Sequence, residues 1–187
     1  MRRRLTILGC ALAVLVVAWA VPVIALNAIQ NKHEVDSMEL VVENPDAYPL
    51  LEPLNWTDQK IASGADGVDA RSWTSGRVEV IESVHRYSSS ISALYAFSTQ
   101  DPTFVSERSA RPTTAEPPSG LRADQAEIFC SDFIAKNGSH NKCDAWGAWL
   151  RYGQYTVYLA ITHAVLSEAD FAAITRRTDA VVNRALL

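Results

Sequence analysis

The sequence is poor in the signatures of chemistry, and each absence closes a class of function. No G-x-S-x-G, H-E-x-x-H, P-loop or G-x-G-x-x-G occurs in its 187 residues. These spacings place a nucleophile, a metal or a phosphate against the groups that act on it, so no catalytic residue and no cofactor is implied. Histidine is sparse and scattered, at 33, 85, 140 and 163. Positive charge is also scarce. Of 17 Lys and Arg, three are Arg2, Arg3 and Arg4. Beyond them 14 basic residues face 21 acidic ones, a net charge of −7. A nucleic-acid partner needs a basic face that releases counterions, so none is expected. Nor is there a polybasic patch for lipid headgroups.

Charge is missing altogether from Leu5 to Leu26. At ~1.5 Å per residue this run is long enough to cross a ~30 Å hydrocarbon core. The arginines before it stay in the cytoplasm, which puts the bulk of the chain outside. Two readings of residues 1–26 follow: a retained transmembrane anchor, and a signal segment cleaved near Ala18-Trp19-Ala20 or Val23-Ile24-Ala25, giving a secreted protein. A signal needs only ~7–15 apolar residues, so the length favours the anchor. Leu8-Gly9-Cys10 has the look of a lipobox, but only five residues separate Cys10 from the arginines. Cys10 reads better as a small apolar residue of the anchor.

Cysteine is the next scarcity. With Cys10 set aside, two remain, Cys130 and Cys143. An exterior location permits disulfides, and two is an even count, so they are expected to be bonded to each other. Such a bridge stabilises a fold by roughly 3 kcal/mol in the chain-entropy view. A metal site on Cys130, His140 and Cys143 is the alternative; it lacks a fourth ligand and the usual C-x₂₋₄-C spacing. Ser63 to Asp69 has the aspartates and glycines of a calcium loop without its D-x-D-x-D-G spacing. Asn55 and Asn137 lie in glycosylation sequons, which matter only in a eukaryotic secretory pathway.

What the chain does have is a strong hairpin pattern from Trp146 to Ile161. Gly153-Gln154 suits a two-residue turn with positive φ at its first position. That turn would set Tyr152 opposite Tyr155, Leu150 opposite Val157, Ala148 opposite Leu159 and Trp146 opposite Ile161, all on one face. Trp149, Arg151, Thr156, Tyr158 and Ala160 take the other. Trp149, Arg151 and Tyr158 are residue types enriched at binding hot spots, and they form the candidate binding surface. A covering of that face by Trp56 or Trp73 is the competing reading.

Around the hairpin, Val78 to Tyr87 reads as a strand and Ala126 to Cys130 as another. A helix should run from the Ser88–Ser90 cap to Asp101-Pro102, burying Ile91, Leu94, Tyr95 and Ser98, with Ala93 and Phe97 widening the stripe. Ser167 should cap a closing helix with Phe171, Ile174, Thr178, Val181 and Ala185 inward and Arg176, Arg177, Asp179 and Arg184 in water. Leu186 and Leu187 should dock. Thr103 to Arg122, with Pro112, Pro117, Pro118 and Gly120, is long for a loop; such loops tend to be functional or mobile, and a disordered surface excursion is the competing reading. Before Gly76, Pro45, Pro49 and Pro53 break regular structure, which suggests a stalk.

The expected architecture is α+β: an N-terminal transmembrane helix, a stalk over 27–76, and an extracytoplasmic domain over 77–187. In that domain a mostly antiparallel sheet carries both helices on one apolar face. The anchor, the cysteine pair, the Trp-Gly-Ala-Trp-Leu-Arg-Tyr-Gly hairpin and the closing helix resemble the extracytoplasmic sensor domains of actinobacterial Ser/Thr protein kinases and related small envelope proteins. The resemblance covers Arg77 to Leu187. Those domains usually have a second disulfide, absent here, and this chain has no kinase sequence, so no signalling role carries over. The functional expectation is a membrane-anchored, non-enzymatic domain that binds an envelope ligand or a protein partner. The alternatives are an envelope hydrolase using His85 or His163, and a structural subunit of another membrane protein.

Overall fold

Gly153 takes φ +58°, and Tyr155–Thr162 folds back on Ala145–Tyr152 in the register expected from the turn, Tyr152 opposite Tyr155 through Trp146 opposite Ile161. A computed structural model of the chain describes residues 34–41, 57–63, 67–99, 113–131, 143, 145–164 and 166–187. The hairpin strands, β6 and β7, stand inside a seven-stranded antiparallel sheet. The others are β1 (Thr57–Ser63), β2 (Val68–Ser75), β3 (Val78–Arg86), β4 (Thr113–Ala115) and β5 (Gln125–Ser131). The order is β1-β2-β3-β7-β6-β5-β4. Helix α1 spans Ser90–Thr99 and α2 spans Glu168–Ala185.

The sheet is therefore wider than expected. The span 27–76 supplies β1, β2 and a 3₁₀ turn, Ser37–Leu40, so much of the expected stalk belongs to the sheet and its core. Trp73 on β2 is fully buried there with Leu40 and Val41. Val35 N–H donates to the Tyr155 hydroxyl at 3.0 Å, and that hydroxyl donates back to the Val35 carbonyl at 3.2 Å, tying this segment to the hairpin turn. Among the described residues no helix is long and apolar enough to cross a membrane; Leu5 to Leu26 lies outside them.

The two helices lie on opposite faces of the sheet, not together on one. Helix α2 covers the Leu150–Val157 face, where Phe171 stacks on Trp146 with ring centroids 5.2 Å apart. Helix α1 covers the other face, where Phe97 packs on Trp149 at 4.8 Å. The reason is topological. Strand β4 lies at the far edge, so the chain leaving β3 must cross β7, β6 and β5, and α1 lies on that path over β6 and β7. The opposite face is already filled by α2 and the segment around Leu40. Helix α1 also turns differently from the expected stripe. Ser90, Ala93, Ala96 and Phe97 are buried, while Tyr95 is 71% exposed. Alanines let the helix approach closely, and Phe97 supplies the large ring that Trp149 needs.

Cys130 and Cys143 form a disulfide, Cα atoms 5.5 Å apart, joining β5 to the residues that lead into β6. On the second face, Gly147 is required by a close approach. The Phe129 ring lies across it, and a Cβ at 147 would sit 2.0 Å from a ring carbon.

Candidate functional site

The candidate surface on the hairpin is interior. Trp149 is 6% exposed, Arg151 3% and Tyr158 8%. Trp149 is covered by Phe97, and Tyr158 stacks on Phe129 with centroids 6.0 Å apart. The outward orientation expected for these three side chains is thus corrected. The cover comes from α1 and β5 rather than from Trp73, which lies on the opposite face. Arg151 has a local task. Its Nε donates to Gln125 Oε1 at 2.9 Å and its Nη1 to the Gly153 carbonyl at 3.2 Å. Asp124 sits 3.7 Å from the same guanidinium and accepts from Gly153 N–H at 2.6 Å. Together they hold the turn. Burial pushes the Tyr158 hydroxyl well above the ordinary phenol range, so it stays protonated.

The two histidines offered for the hydrolase alternative, either one as its base, stand at opposite ends of one ladder. His85 is paired with Thr156 near one end of the β3–β7 ladder, and His163 follows Thr162 at the other. Seven residues of strand separate the two positions, about 23 Å at ~3.3 Å per residue. His85 is half-buried, and desolvation lowers its pKa, so it is neutral at pH 7. No hydroxyl or carboxylate among the described residues is hydrogen-bonded to it; its neighbour is the stacked ring of Tyr87 at 6.3 Å. His163 is exposed, with φ +60° in the bend after β7. The metal alternative meets the disulfide, which consumes Cys130 and Cys143, and His140 lies outside the described residues. Among the described residues no group of three or more His, Cys, Asp or Glu could hold a metal ion.

A cleft does exist elsewhere. It holds about 550 Å³ and runs between Glu116–Ser119 and the first turns of α2. One wall is the stiff Pro117-Pro118 pair. The other is a single stripe of α2 at i, i+4 and i+8, namely Glu168, Ala172 and Arg176. Ile128 of β5 and Phe171 of α2 make the apolar floor.

Local sequence fixes both walls. Helix α2 begins at a capping box: the Ser167 hydroxyl accepts from Asp170 N–H at 3.2 Å, and Asp170 accepts from Ser167 N–H at 3.0 Å. Those hydrogen bonds hold the Asp170 carboxyl below its usual range. The facing loop is clamped by Asp179, whose carboxylate accepts from Arg122 N–H and Ala123 N–H, each at 3.0 Å, and from the Tyr152 hydroxyl at 2.9 Å. Asp179 is 4% exposed, which corrects its assignment to the wet side of the helix. Burial first, and then the Asp179 charge, push the Tyr152 hydroxyl far above the phenol range. It remains a donor to Asp179. At the far end Arg176 Nε donates to the Ser119 carbonyl at 3.4 Å, closing the cleft.

Glu116, Glu168 and the Nη groups of Arg176 make no ion pair or hydrogen bond to any described residue, and their places leave charge of both signs on the rim of an apolar groove. The loop carrying Glu116 was legible as a candidate from its length and prolines. Arg176 was not, because a wet arginine on a helix carries no sign of what it faces. Comparison of the chain with protein-family models, with curated proteins and with solved structures finds no match.

Proposed function

We propose that this is a non-enzymatic binding domain held at the outer face of the cytoplasmic membrane by its N-terminal segment. In this reading its ligand site is the groove between Glu116–Ser119 and α2, not the hairpin face. One observation carries the assignment of the site: an apolar floor of Ile128 and Phe171 lies under Glu116, Glu168 and Arg176, which form no ion pair among the described residues. Charged side chains without an opposite charge beside them, gathered over an apolar floor, suit recognition of a small molecule or a chain segment. Its volume lies within the ~300–1,000 Å³ of ligand pockets. No hydroxyl or carboxylate among the described residues is hydrogen-bonded to His85, which argues against its use as a hydrolytic base, since a nucleophile and its base must lie within hydrogen-bond reach. The oxidised cysteine pair and the uncharged run after Arg4 support the outer location.

The test uses the full chain in detergent micelles. Ligand-observed NMR with a library of small amphiphilic fragments should give hits, and Ala172→Trp, which fills the groove, should abolish them. Hits that survive Ala172→Trp, or no hits at all, would reject the groove as the site.

A further inference from the structure

We infer that the groove takes a short peptide in one direction, with a free carboxylate at Arg176 and an ammonium at Glu116 and Glu168. This rests on the groove being the binding site and goes on to name its ligand class. Order along the groove is the first argument. Ser119 is joined to Arg176, so Glu116, three residues earlier in a stretch stiffened by two prolines, lies toward the Glu168 end. The two carboxylates therefore share one end and the guanidinium holds the other. Eight residues of α2 separate Glu168 from Arg176, about 12 Å at ~1.5 Å per residue.

Length and shape then select the ligand. A free amino acid has its charges far too close together to reach both ends. Four extended residues span about 13 Å at ~3.3 Å per residue, which matches. About 550 Å³ accommodates four small residues. Nε of Arg176 donates to Ser119, which leaves its two Nη groups for a carboxylate. The side chains of Ile128 and Phe171 on the floor and Ala172 on the wall offer nothing to hydrogen-bond, so small apolar side chains fit there better than polar ones.

Equilibrium dialysis of radiolabelled tetra-alanine against the full chain in detergent micelles, with empty micelles as control, tests this. Free tetra-alanine should bind saturably. Its C-terminal amide should bind at least tenfold more weakly, and so should its N-acetyl form. Arg176→Gln should weaken the free peptide tenfold and leave the amide unaffected. The Glu116→Gln, Glu168→Gln double variant should do the same for the N-acetyl form. All three residues are on the rim, and circular dichroism melts would verify that the variants fold. Equal binding of all three peptides, or amide losses undiminished in Arg176→Gln, would overturn the inference. If fragments occupy the groove in an Ala172-dependent way and tetra-alanine does not, the peptide inference falls while the groove stands. If nothing occupies it, both fall.

Discussion

Asp179 shows what a single side chain can decide. Its carboxylate gathers two backbone donors from Arg122 and Ala123 and one hydroxyl from Tyr152. Asp179→Ala would leave the buried Tyr152 hydroxyl and two part-buried N–H donors unpaired, and a loss of about 2–3 kcal/mol is expected in denaturant melts. A loss within error of zero would mean that the loop is held by other contacts. Gly147 decides something different, the clearance under Phe129. Gly147→Ala should destabilise by about 1–3 kcal/mol through overpacking, and most of that cost should vanish in a Phe129→Ala background. Neither role was legible in the sequence. Asp179 follows two arginines on a helix, and helical spacing says nothing about the loop that arrives above it. Gly147 reads as a weak strand residue until Phe129 is known to be its cross-strand neighbour.

Elements that declare themselves through local chemistry were legible. The hairpin register followed from one glycine, and Ser167 announced the start of α2 through its cap. Ser167→Ala should cost about 1 kcal/mol of stability, as lost caps do. The cap also has a pH dependence with a definite sign. The folded pKa of Asp170 is depressed, so its contribution is present above the unfolded carboxyl value and is lost as pH falls through the folded one. Amide exchange in the first turn of α2 should therefore accelerate below about pH 4 in the native chain, and less so in Ser167→Ala. Helix α1 was less legible. Nearly all its residues are apolar or small, so the sequence offers two stripes, and the buried one was chosen by Trp149.

The whole molecule was partly legible. The α+β class, the antiparallel sheet and the disulfide are as the sequence implies. The placement of α1 and the extent of the sheet were not, because both depend on which strands lie at the edges, a long-range matter that periodicity does not carry. The Trp149 face looked like a surface since its composition suits an interface and a core equally well. Removal of the bridge by Cys130→Ser with Cys143→Ser should lower stability by about 3 kcal/mol. Calorimetry of the oxidised and variant chains at equal pH would check this, and equal melting would mean that the loop it closes contributes no chain entropy.

The strand order also sets how the molecule opens in time. Strands β1 to β3 form one run of neighbours and β4 to β7 another, and among the described strands the β3–β7 ladder joins the two runs. Each run can form from local turns, but the ladder joins Val78–Arg86 to Tyr155–Thr162 across more than sixty residues. Zipping that seam is expected to be the slow step of folding, since loop closure precedes its reward. The inner face of the seam is lined by Val80, Val84, Val157 and Ile161, all fully buried. Native-state hydrogen exchange should then find β3 and β7 amides released together, at the free energy of global unfolding, while the β1–β2 edge opens at a lower one. Val84→Ala should slow refolding more than it speeds unfolding if the seam is formed in the transition state. Two foldons that part at the seam are the expected outcome, with the disulfide and the groove both in the second.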